Sequence, residues 1–309
     1  MDAPKSDHYQ FEPIGERVWA GIASSTGRSI CNSGVVDLGA GVLVFDTGMT
    51  PGSAQDLRTT GDRLFGRMPS IVANSHWHSD HTFGNRAFGS VPIWSTRRTR
   101  ELLLQYAPEM TADLTRERQE ADLKELEAKR SKMRTKGQKA DFELWIQIQR
   151  AILAALDELK IVPPNQTFET RMELPGERGA ELLSFGAGHT EADAVMFFPR
   201  EKLLFAGDLI TYGVQPSMSS GDPEHWLTVV DELERLRPER IVPGHGPVIS
   251  PEEMQETRDY LAGVLKAAEA PKSAALPAAL RKWEGSLGLE WNLKFARDRV
   301  KARKAKSRA

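Results

Sequence analysis

The sequence predicts an α/β chain whose short buried strands end in loops carrying ligand-type side chains. The first observation is a series of apolar runs bounded by glycine, aspartate or proline, at residues 18–23, 33–38, 41–46, 71–73, 193–198 and 202–206, the pattern of buried strands. The second is that helical segments at 51–65, 223–237 and 251–268 are interspersed with these runs. The third is local. His76, His78, Asp80 and His81 crowd into six positions directly after the run Ile71-Val72-Ala73.

Length and composition narrow the class. With 309 residues the chain can hold one large domain or two small ones around a substantial core. A formal net charge of −2 gives no electrostatic reason to expect nucleic acid or lipid as the main partner. The single cysteine, Cys31, excludes an intramolecular disulfide framework and a cysteine-based zinc finger, and reads as a small buried apolar residue. No apolar segment follows the charged N-terminal residues, and no run approaches the ~18 apolar residues of a spanning helix. A soluble, cytoplasmic protein with no membrane contact is expected.

Taken in order, residues 17–47 read as successive strands joined by short turns, which favours antiparallel pairing. Asp46-Thr47-Gly48 closes that series, with Asp46 as a turn-capping residue on local grounds. Residues 51–65 suit a helix, Ile71 opens the strand that leads to the histidines, and a short strand falls at 91–94. From 97 to about 160 the pattern turns helical and charged, with breaks expected at Pro108 and Gly137. A helical hairpin insertion follows. Its last segment carries Phe142, Trp145, Ile146, Ile148, Ile152, Leu153, Leu156 and Leu159, more apolar surface than one helix face needs. That surplus calls for the core, the rim of a site or a second subunit as its partner, the last of these making a homo-oligomer through the insertion.

Strands return at 167–174, 181–185, 193–198 and 202–206. Asp222 caps the helix at 223–237, whose inner face carries Trp226, Leu227, Val230 and Leu233. Ile241-Val242 is a last short strand before the helix at 251–268. Beyond Pro271 the chain turns alanine-rich and then basic, and residues 270–309 read as a solvated C-terminal extension. A charge run alone does not specify nucleic acid, which is not expected as a partner.

The histidine cluster needs more than its own composition, because a lone histidine is usually an ordinary residue and an HxH pair alone leaves a metal site undecided. On extended backbone His76 and His78 share a face while Trp77 turns away, and Asp80 and His81 follow a turn that aims them at a second point. The same grammar recurs downstream. A small apolar run, a glycine and a ligand-type residue appear as Gly188-His189-Thr190, as Gly207-Asp208 and as Gly244-His245-Gly246.

In this order and spacing, over roughly residues 17–250, the series resembles the metallo-β-lactamase superfamily. The resemblance implies a four-layer αβ/βα sandwich in a single domain, with a helical insertion at about 97–160 and the site at one edge. It implies His76, His78 and His189 as ligands of one metal, Asp80, His81 and His245 as ligands of a second, and Asp208 as the carboxylate between them. Two divalent cations follow. Zinc is the default, and a nitrogen and oxygen donor set without thiolate also suits iron or manganese. Asp46 would then lie below the site and hold a ligand histidine by its other nitrogen. His8 and His225 match no part of the pattern and read as surface residues.

The function so implied is that of a dinuclear metal-dependent hydrolase, in which hydroxide held on the metals cleaves an ester, lactone, thioester or β-lactam in a small molecule. Asp80 and Asp208 are its catalytic carboxylates. Aspartate at 208, where one group of true lactamases in the family has cysteine, matches the family's thioesterases, lactonases and phosphodiesterases. Phosphodiester or RNA cleavage is the alternative within the family. A di-iron oxidoreductase is more distant, since no glycine-rich phosphate loop follows residue 250. Trp77, Phe83, Tyr212 and Met218 are the candidate pocket residues, each of which also reads as ordinary packing.

Overall fold

In the computed structural model, which describes residues 2–24 and 29–306, side-chain alternation along the strands decides the layering. In β2 (Val18–Ala23), β3 (Ser33–Asp37) and β4 (Val42–Phe45), the residues Val18, Ala20, Val36, Leu43 and Phe45 face one core, while Trp19, Val35, Val42 and Val44 face another. Successive strand residues point to opposite faces, so a strand apolar at every position must be covered twice. The second sheet repeats the logic. Met196 and Phe198 of β10 (Val195–Phe198) and Leu203 and Phe205 of β11 (Leu203–Thr211) enter the shared central core, whereas Val195, Phe197, Leu204 and Ala206 face outward. Helix α1 (Pro51–Phe65) covers the outer face of the first sheet through Ala54, Leu57 and Leu64. Helices α6 (Pro223–Arg235), α7 (Pro251–Glu269) and α8 (Leu287–Lys306) cover the second. These are the four layers of the αβ/βα sandwich.

The first sheet has seven strands in sequence order, adding β1 (Tyr9–Gly15), β5 (Ile71–Ala73), β6 (Ile93–Thr96) and β7 (Gln166–Phe168) to those above. β1 to β4 pair antiparallel, and β4 to β7 pair parallel. The second sheet runs β12 (Arg240–His245), β11, β10, β9 (Glu181–Leu183), β8 (Arg171–Glu173), and only β11 and β12 are parallel. Parallel neighbours deliver their C-terminal ends to the same edge. Phe45 lies beside Ala73, so Asp46 emerges next to the histidine loop, and the β11–β12 pair brings Asp208 and His245 together. The one-turn α2 (Ser79–Thr82) follows the loop.

Two strands depart from the sequence reading. β1 was hidden because its alternation, Tyr9 and Phe11 buried against exposed Gln10, is interrupted by Glu12 and Pro13. The run at 167–174 divides at Glu169-Thr170, where the chain leaves the first sheet and joins the second as β8.

The insertion contains α3 (Arg97–Asp113), α4 (Arg116–Lys132) and α5 (Lys136–Ala155). Helices α4 and α5 form a hairpin, joined by Gln149 to Gln119 at 2.6 Å and by the Arg130–Glu143 and Arg150–Glu127 pairs. Pro108 lies inside α3 and does not end it. The carbonyl it leaves unpaired belongs to Leu104, on a turn open to water, which makes the missing bond tolerable. The breaks fall instead before the caps Thr115 and Thr135, so Gly137 sits in the first turn of α5.

The C-terminal segment is not a solvated tail through residue 306. Leu289, Leu293, Ala296 and Val300 recur at helical spacing and are buried in the core formed with α6 and α7. Asn292 carries α8 further. Its amide donates to Pro216 O at 2.7 Å and to the Tyr260 hydroxyl at 2.9 Å, and its oxygen accepts from Met218 N at 3.2 Å, bracing the loop that follows β11. No helix among the described residues is long and apolar enough to cross a membrane.

Asp37 fixes the end of β3. Its side chain is 1% exposed and accepts from Arg17, from Arg67 at 2.7 Å and from Gly39 N at 2.8 Å. Burial opposes the charge, but these donors outweigh it and hold the carboxyl below the usual carboxylate range. A depressed folded-state pKa contributes stability that is full above about pH 4 and is lost as pH falls through the lowered value. Asp37→Asn is expected to cost about 2 kcal/mol at pH 7, discounted for the half-exposed arginines. Urea titrations should find the gap from wild type closing as the pH is lowered below about 4.

Candidate metal centre

The ligand-type residues converge where the strand ends of both sheets meet. The ligand atoms of His76, His78, His189 and Asp208 lie within 4.8 Å of one another, as do those of Asp80, His81 and His245. Asp208 sits between the groups. Its Oδ1 is 3.1 Å from His81 Nε2, and its Oδ2 is 3.2 Å from His245 Nε2 and 3.4 Å from His189 Nε2. Asp80 Oδ2 is 3.4 Å from the Nε2 atoms of both His81 and His245. The glycine before His245 has a steric reason: a Cβ on Gly244 would collide with Asp208 Oδ1 and the adjoining backbone.

Each of the five imidazoles commits one nitrogen to the protein. His76 Nδ1 lies 2.9 Å from Ser75 Oγ, His78 Nε2 3.0 Å from Ser220 Oγ and His81 Nδ1 2.8 Å from Asp46 Oδ2. His189 Nδ1 donates to Ser217 O at 3.0 Å, and His245 Nδ1 to Ile30 O at 2.7 Å. Carbonyl and carboxylate acceptors demand an N–H, so in a neutral ring the opposite nitrogen carries the lone pair. Those opposite nitrogens face the cluster. His76 Nε2, His81 Nε2 and Asp208 Oδ1 are buried without a hydrogen-bond partner, a costly condition that a cation relieves. The donor set therefore fits divalent metal ions.

Electrostatics agree. Burial pushes His76 well below the usual histidine range and His78 down to about 3, with neighbouring imidazoles acting in the same direction, so both stay in the neutral, ligating form. Burial works against charge on Asp80 and Asp208 too, but His81 and His245 hold both carboxyls well below their usual range. At His245 the carboxylates of Asp208 and Asp80 overcome burial and push the imidazole up to about 10, and carboxylates raise His81 likewise. Positive charge is favoured here in whatever form it arrives.

Asp46 does more than cap a turn. In the left-handed conformation, with φ 57°, it accepts from Ser75 N and Ser75 Oγ, both at 2.7 Å, while holding His81. Cys31 is fully buried as expected, and its thiol donates to the Asp80 carbonyl at 2.7 Å. Burial pushes that thiol well above its ordinary pKa.

The pocket candidates divide. Trp77 keeps open surface beside His78 and stacks on Tyr106, with ring centroids 4.7 Å apart and planes 23° from parallel. Phe83 and Met218 are 5% and 0% exposed, so both belong to the interior and not to a pocket wall. Tyr212 lies beside Glu253 of α7, whose hydrogen bonding and charge raise its pKa, so that it stays a neutral phenol. His225 is exposed, with Nδ1 2.6 Å from Ala187 O. His8 is half-buried against Asp56 at 2.8 Å, and so is not a plain surface residue. Sequence reasoning missed Ser75, Ser217, Ser220 and Tyr106, because a backbone carbonyl or a lone serine carries no motif.

A family model described as the metallo-beta-lactamase superfamily matches residues 26–245. Among similar solved structures, the DIM-1 metallo-beta-lactamase is 17% identical with a TM-score of 0.57, the match covering 84% of this chain and 99% of that one. FIM-1 from Pseudomonas aeruginosa, in its mono-zinc form, is 16% identical with a TM-score of 0.59, covering 84% and 97%. A metallo-beta-lactamase from Pontibacter korlensis is 18% identical with a TM-score of 0.58, covering 82% and 99%. Likeness at these identities establishes the fold alone. No curated protein matches the chain.

Proposed function

The chain belongs to the metallo-beta-lactamase superfamily and is a metal-dependent hydrolase; from that premise we propose that it works with two divalent cations on a carbonyl-type bond of a small molecule. Ester, lactone, thioester and β-lactam are the bonds in range. His76, His78 and His189 would hold one ion, Asp80, His81 and His245 the other, with Asp208 shared. The observation that carries this reading is the commitment of all five outward nitrogens, which leaves five lone pairs and two carboxylates aimed at adjacent points. Divalent metals bound there supply Lewis acidity and lower the pKa of water from ~16 to about 7, so no catalytic serine is needed.

The chain's own groups do the rest. Asp80, held at 3.4 Å from both His81 and His245, would stay ionised and orient the attacking water through a carboxylate oxygen. Asp208 fixes the spacing between the groups. Zinc is the expected metal for a site of five imidazoles, and with Cys31, the one thiol in the chain, turned to the Asp80 carbonyl, the nitrogen and oxygen donor set suits iron or manganese as well.

Elemental analysis of the purified protein, paired with a panel of ester, lactone, thioester, β-lactam and phosphodiester substrates, tests the proposal. About two metals per chain with cleavage of a carbonyl bond is expected. One metal at full activity, or cleavage of the phosphodiester alone, contradicts it. His225→Ala serves as the control and is expected to keep its metal and stay within about twofold of wild-type turnover.

A further inference from the structure

We infer that Tyr106 of the insertion and Trp77 of the histidine loop together form a recognition wall for an apolar chain of the substrate. The inference rests on the hydrolase reading and names the kind of substrate that site takes. Trp77 lies between the ligands His76 and His78, edge-on to the His78 ring at 4.6 Å and stacked on Tyr106.

Helix α3 is fastened to the opposite ligand loop as well. Thr99 Oγ1 donates to Ala192 O at 2.8 Å, and Arg98 pairs with Glu191 at 2.6 Å, a few residues past His189. The helix thus spans from one ligand loop to the other. Along its inner face Thr99, Leu102 and Leu103 are buried, but one turn on Tyr106 is only half-buried, as is Met110 a turn later. The core-facing stripe becomes partly exposed aromatic surface where it meets Trp77 beside His78. Apolar surface concentrated beside a reactive centre favours a ligand group that removes it from water.

The apolar chain can belong to the acyl or the alcohol side of the scissile bond, so two substrate series are needed. One is p-nitrophenyl esters from acetate to octanoate, and the other is acetates from methyl to octyl, assayed on the zinc-loaded protein and on Tyr106→Ala and Tyr106→Phe. Wild-type kcat/KM is expected to rise with length in one series. Tyr106→Ala should lose about tenfold at eight carbons and less than about twofold at the shortest member, with unchanged metal content, while Tyr106→Phe keeps the slope.

A uniform loss at all lengths would reduce Tyr106 to a prop for Trp77 and overturn the inference, as would a wild type indifferent to length. If the metal-loaded protein cleaves no ester of either series, calorimetric titration with acetate, octanoate and octanol still decides. Octanoate or octanol binding that Tyr106→Ala weakens about tenfold sustains the wall. Binding equal in the two proteins, or none, removes it, whatever becomes of the hydrolase reading.

Discussion

Asp208→Ala is expected to lower turnover by about a thousandfold or more and to reduce the metal retained per chain. The two oxygens of Asp208 approach His81, His189 and His245 at 3.1 to 3.4 Å and so link the two groups. Removing that carboxylate would leave five imidazoles with only Asp80 among the ligand-type carboxylates to balance the two divalent charges of the proposed centre. Steady-state kinetics with metal quantification after dialysis measures both effects. Full activity in this variant with one metal bound would contradict a shared carboxylate.

The second large effect is expected at Asp46, which touches no other part of the cluster than His81 and the Ser75 that backs His76. Asp46→Asn keeps the left-handed backbone accessible but loses the charged acceptor for the His81 N–H. Metal affinity should fall about 10- to 100-fold in a chelator competition, with the fold retained. Asp46→Ala strands the Ser75 and His81 donors in the interior and strains the backbone as well, and is expected to cost a further 2–4 kcal/mol or so in denaturant unfolding. Wild-type metal affinity in a folded Asp46→Asn protein would show that His81 is oriented by something else.

Much of this centre is legible in the residues because its ligands follow a physical grammar. A strand must end, a glycine must let backbones approach, and a ligand must follow, which is how Asp208 and His245 stand out. The alternation in β2 to β4 and β10 to β11 encodes the layers just as directly. What is hidden is of two kinds. The groups that orient His189 and His245 are the carbonyls of Ser217 and Ile30, which any residue could supply. In α8 the dense charge obscures a four-residue apolar stripe, and the surface pairing of Arg299 and Arg303 with Asp222, Glu224 and Glu269 uses the very residues that suggested a free tail. Phe83 and Met218 were legible as apolar but not as interior, since proximity in sequence to a ligand says nothing about which way a ring or thioether turns.

The thiol sealed behind the Asp80 carbonyl gives this molecule a built-in probe. Cys31 has no accessible surface, and the chain has no other cysteine to compete for a reagent. Alkylation must therefore wait for the segment around Cys31 to open. Its rate in dilute denaturant reads the local opening of that segment apart from global unfolding.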